Sequence, residues 1–147
     1  MTFEELVEML GERLGIEFEH VEGAAAVEID GAAVILQDAG DLLLIRADVG
    51  EIPADTKASI LLSAMEANFL YQGTGGATLA VDSRTGHLHL QKYNWLDRID
   101  AEKAVTDLVR FADTVNAWKR IVAEAMLGAS AAADDLSAPA SSDFIQV

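Results

Sequence analysis

The chain has 147 residues, of which 51% are apolar, with a formal net charge of -15 and no cysteine. That length closes one hydrophobic core and is too short for two good ones. The charge counts against nucleic acid and anionic membranes as partners, because the Lys and Arg that would neutralise phosphates are too few, and the missing cysteines exclude disulfides and thiolate metal sites.

The first helix is predicted from Thr2 and Glu5, a capping-box pair, followed by Phe3, Leu6, Val7, Leu10 and Leu14 at helical spacing and a stop at Gly15. Glu4, Glu5 and Glu8 stand where an export signal carries bases, and no apolar run reaches the ~18 residues of a membrane span, so the expected location is the cytoplasm. Residues 26–36 are two alternating stretches around Asp30-Gly31, which reads as a hairpin, and residues 42–49 read as a third strand.

Pro53 and Asp55 open a second helix expected to run to about Gln72, closed by Gly73-Thr-Gly-Gly76. It carries two apolar stripes: Leu61, Leu62, Met65 and Phe69 form one, and Ile60, Ala64, Ala67 and Tyr71 the other. A helix apolar around most of its circumference is buried on two sides, one against the sheet and the other against a further element or a second copy.

Residues 78–82 and 87–93 form another hairpin around Ser83-Arg-Thr-Gly86. Asp100 caps a third helix, with Ala104, Leu108, Phe111, Val115, Trp118 and Val122 at helical spacing to about Leu127. The fold class is therefore α+β, in the order helix, three strands, helix, two strands, helix, with an antiparallel sheet packed by helices. Residues 1–127 are read as one domain and residues 128–147 as a flexible Ala/Ser/Asp tail with an apolar tip, Asp143-Phe-Ile-Gln-Val147.

Little asks to be an active site. His87 and His89 share one face of a strand, but no third ligand is marked out by spacing. The glycines at 73, 75 and 76 follow a helix and lack a Gly-Lys-Ser/Thr, so they read as a helix stop and not as a phosphate cradle. No Gly-x-Ser-x-Gly elbow occurs. A non-enzyme without cofactor or metal is expected. Residues 1–55 hold 14 Asp and Glu against Arg13 and Arg46 alone, which makes the N-terminal third the place where an electrostatically steered partner would land.

Glu66-Ala-Asn68, then Gly73-Thr-Gly-Gly-Ala-Thr-Leu79, Asp82, Thr85-Gly86, Leu88 and Leu90, continued by Leu96-Asp-Arg-Ile-Asp100, Phe111 and Trp118, resemble the signature of the class I type III secretion chaperones, the Tir chaperone (CesT-type) family. The resemblance covers roughly residues 2 to 125. It implies a homodimeric bacterial cytoplasmic chaperone that binds the N-terminal segment of a secreted effector and keeps it secretion-competent. The ATPase of the secretion apparatus is left open as a further partner. It also implies a cargo surface on the first helix and first three strands, for which Leu6, Leu10, Val34, Leu36 and Leu44 are the candidates. The second helix and the strand after it would form the dimer contact, with Ile60, Ala64, Ala67, Tyr71 and Leu79 as candidates. The alternative is a regulatory module of the same fold that docks onto one folded protein.

Overall fold

The computed structural model describes residues 1–135. Its elements are α1 (Phe3–Leu14), β1 (Glu19–Val21), β2 (Ala24–Ile29), β3 (Ala32–Ala39), β4 (Leu42–Glu51), α2 (Lys57–Asn68), β5 (Thr78–Asp82), β6 (His87–Trp95) and α3 (Ala101–Asp135). The strands form one antiparallel sheet in the order β1-β2-β3-β4-β6-β5. This is the expected α+β architecture with one strand more, because β1 has three exposed residues and no apolar alternation to betray it.

Local chemistry sets several of the boundaries. The Glu5 amide donates to Thr2 Oγ1 at 3.2 Å and the Thr2 amide to Glu5 Oε2 at 2.7 Å, closing the capping box of α1. That backbone bond from Thr2 holds the Glu5 carboxyl below the usual carboxylate range. A carboxylate pKa lowered by folding stabilises the fold above its unfolded value, about 4.3, and that contribution is lost as pH falls through the lower folded value. Asp30 and Gly31 both have positive φ, 50° and 84°, the backbone that a tight two-residue hairpin turn requires. At the start of α3 the Lys103 amide donates to Asp100 Oδ1 at 3.0 Å.

One face of the sheet is covered. α3 crosses β3 and β4 and lies beside α1. Val34, Leu36, Leu43, Ile45, Leu88 and Leu90 from the strands meet Leu6, Leu10, Leu108 and Val115 from the helices in a single buried cluster. On the opposite face Ile35, Leu42 and Leu44 are half-buried, while Tyr93 and Trp95 are exposed. The α2 helix ends at Asn68, four residues before the expected Gln72, and passes into a 3-10 turn over Phe69–Tyr71. At the other end of the chain α3 continues to Asp135, past the Leu127 end read from the sequence. The rest of the expected 128–147 tail, with its apolar tip, lies outside the described residues.

The β4–β6 register shifts between Asp48 and Gly50, a bulge at which Gly50 takes φ 130°. A Cβ on Gly50 would stand 3.0 Å from Val122 Cγ1, so a bare backbone is what lets α3 press on the bulge. Gly50→Ala is expected to cost about 1–3 kcal/mol from backbone strain, plus the clash with Val122. In urea denaturation, G50A with V122A should lose less than the sum of the two single losses, because the second truncation removes the clash.

Candidate protein-binding surfaces

The surface around α2 is built from a sheet edge upward. β5 is a terminal strand, with β6 on one side only. The outward backbone of Leu79 is met by one side chain: its N–H donates to Asn68 Oδ1 at 2.8 Å, and Asn68 Nδ2 donates to its carbonyl at 3.1 Å. The carboxamide carries one donor and one acceptor at the spacing of a peptide group, so it stands in for a neighbouring strand at that residue. It also fixes which side of α2 faces the sheet. Ile60 and Ala64 go inward and are buried, whereas Leu62, Met65 and Phe69 are between 61% and 69% exposed.

The turn that follows extends the apolar surface. Leu70 and Tyr71 have positive φ, 52° and 56°, a conformation that costs a non-glycine residue about 1–3 kcal/mol. Both side chains stay exposed. The chain is held there from below. The Gly73 amide donates to the Ala67 carbonyl, and the Gly73 carbonyl accepts from Trp118 Nε1 at 2.9 Å. A Cβ on Gly73 would fall 2.7 Å from Ala67 Cβ, so glycine is required by contact. Leu62, Met65, Phe69, Leu70 and Tyr71, with the half-exposed Val81 of β5, are large apolar side chains left in solvent around one element.

Of the expected dimer residues, Ile60, Ala64 and Leu79 are buried in the core of their own chain, whereas Tyr71 is exposed and Ala67 half-buried. The small side chains of Ala64 and Ala67 allow α2 close to the protein body, which leaves the bulky stripe outside. The expected cargo residues divide similarly. Leu6, Leu10, Val34 and Leu36 are core, although Leu10 and Leu36 also line a cavity of about 240 Å³ together with Trp95, Arg98 and Lys103. Leu44 lies on the opposite sheet face against Tyr93, in a shallow recess that it shares with Tyr71. A residue expected to hold cargo and one expected to hold a second copy thus line the same hollow. Tyr93 and Trp95, which the sequence reading left out, complete this face. They alternate on β6, and that period is the signal by which they could have been found.

His87 Nδ1 lies 2.7 Å from Asp48 Oδ2, and Lys92 pairs with Asp107 at 3.4 Å. Among the described residues no group of three or more His, Cys, Asp or Glu side chains is placed to hold a metal ion, and no helix is long and apolar enough to cross a membrane.

The model of the Tir chaperone protein (CesT) family matches residues 5–134. The chain belongs to that family. No curated protein matches it by sequence. Among solved structures it is similar to a chain of the ExsC–ExsE complex, with TM-score 0.63 and 19% identity, covering 80% of this chain and 91% of that one. A chain of the HopA1–SchA chaperone–effector complex gives TM-score 0.62 and 16% identity, covering 80% and 93%. A chain of the heterodimeric ExoU–SpcU complex from the type III secretion system of Pseudomonas aeruginosa gives 0.61 and 18%, covering 79% and 93%. At such identities the likeness is one of fold.

The Asn68 clamp makes a local prediction. Asn68→Ala leaves two backbone groups of β5 without protein partners and is expected to cost about 1–3 kcal/mol, with faster hydrogen exchange at the Leu79 amide. Asn68→Asp retains the acceptor but sets a carboxylate against the Leu79 carbonyl, and should be no better than alanine.

Proposed function

We propose that the chain is a homodimeric cytoplasmic chaperone that binds the N-terminal segment of a type III secreted effector and keeps it partly unfolded and competent for export. The observation that carries this reading is the family match over residues 5–134. The similar structures, a chaperone–effector complex and a complex from a type III secretion system among them, support an effector as the partner.

The mechanism is physical. An extended segment places apolar side chains in surface hollows and adds backbone hydrogen bonds at a sheet edge, without a chemical step. Ordering such a segment consumes part of the interaction energy, which suits cargo that must later be released. A second copy covers the exposed side of α2, because an apolar stripe of this size on a soluble chain calls for a partner. With -15 charges on each chain, the contact between copies must be mostly apolar, as the stripe is.

Two measurements test the reading. In light scattering the protein should have twice the single-chain mass, and Leu62→Glu with Phe69→Glu should weaken the dimer by about a hundredfold or more while circular dichroism stays that of a folded chain. An unchanged dimer would move the contact elsewhere. Affinity capture from the native bacterium should recover a secreted protein held through its N-terminal region by two copies of this chain. Recovery of a folded cytoplasmic protein alone would favour the regulatory module instead.

A further inference from the structure

The groove between α1 and the segment leading into β1 is, we propose, the seat of an extended stretch of cargo in which basic and apolar residues alternate. This inference rests on the chaperone reading and gives its cargo a chemistry. The floor is apolar: Val7 is buried, and Ile16 and Phe18 are half-buried. Gly11 sets its depth. The Ile16 amide donates to the Gly11 carbonyl at 3.1 Å, and a Cβ on Gly11 would lie 3.1 Å from the Ile16 carbonyl oxygen and 3.7 Å from the Phe18 ring. Any larger residue would push the two walls apart.

One wall is a row of carboxylates. Glu4, Glu8 and Glu12 follow each other at four-residue intervals on one face of α1, and Glu17 also borders the groove. Like charges at that spacing repel one another, and Glu12, in the last turn, also meets the negative end of the helix dipole. Among the described residues none of these four carboxylates forms an ion pair, and Arg13 does not line the groove. Glu4, in the first turn, gains from the helix dipole, whereas Glu8 and Glu12 have neither that compensation nor an ion pair.

The charge selects the occupant. A second copy, at -15, is repelled, and so is any acidic segment. Spacing adds the pattern. Four residues of helix rise about 6 Å, and alternate side chains of an extended chain stand about 6.7 Å apart. An extended segment running along α1 thus brings a base to each of Glu4, Glu8 and Glu12 by placing one at every second position. The residues between point the other way, toward Ile16 and Phe18. His20 of β1 lines the same groove, and β1 has a neighbouring strand on one side only, so its free edge is at hand for the backbone of the segment.

The test uses two fluorescein-labelled peptides of about nine residues with identical composition, one alternating Lys and Val and the other with its Lys and Val in separate blocks. Fluorescence anisotropy against the full chain should give a Kd about tenfold lower for the alternating peptide. Glu8→Gln with Glu12→Gln should weaken it about five- to tenfold, and Glu22→Gln with Glu28→Gln, exposed carboxylates outside the groove, should leave it unchanged. Equal binding of the two peptides overturns the inference, as does an equal loss in both double variants, which would mean that only the overall field of the chain is felt. Failure of the alternating peptide to bind the unaltered protein overturns it too, yet leaves the mass and capture measurements standing. A bound peptide together with failed effector capture would remove the chaperone reading and keep the basic-segment groove.

Discussion

A terminal strand of an antiparallel sheet presents backbone donors and acceptors that nothing in the sheet can satisfy, and much of this molecule follows from how β5 meets that constraint. Asn68 answers the Leu79 amide and carbonyl together. Because Asn68 is the last residue of α2, the bond pins the end of the helix to the sheet and sets its rotation. The sides of Ile60 and Ala64 then turn inward, and the larger apolar side chains have nowhere to go but out. Trp118, donating to the Gly73 carbonyl, ties the same corner to α3, so the helix, the sheet edge and the long C-terminal helix are one connected unit.

Much of this was legible in the sequence. The capping box at Thr2 and Glu5, the Asp30-Gly31 turn and the Asp100 cap are local signals, decided by a few neighbouring atoms, and the structure has them where the residues say. The hydrophobic periods between them gave the order of elements, and the family signature agreed with it. What was not legible is which side of an element faces what. In α2 both stripes are apolar, so periodicity alone cannot tell the buried side from the exposed one. The deciding contact, an asparagine reaching a strand eleven positions on, leaves no periodic trace. The cargo candidates carry a related ambiguity. Leu6, Val34 and Leu36 are apolar because the core needs them, and a sequence does not mark an apolar residue as core or as pocket. Leu44 and Tyr93 oppose each other on the uncovered face, but that face is identified only when β4 is laid beside β6.

The strong acidity has a local as well as a global meaning. Spread over the surface it disfavours association with other acidic proteins. Gathered along α1, in a groove with an apolar floor, it becomes a pattern instead of a total. The two apolar regions of the surface also differ in kind. The α2 stripe is broad and bulky, with Glu66 at its border, whereas the α1 groove is open and bordered by carboxylates. Two such different chemistries on one small domain can serve two partners without competing.

The turn at Leu70 and Tyr71 bears on how fast any partner of the α2 face can settle. Its left-handed backbone is imposed by the surrounding fold, through the short approach of Gly73 to Ala67 and the hold of Trp118 on the next carbonyl. The cost of displaying those two side chains is therefore met when the chain folds, before any partner arrives. Such a surface is preorganised: docking on it loses little conformational freedom and needs no rearrangement of the backbone. Encounter on this side is then a collision of finished shapes.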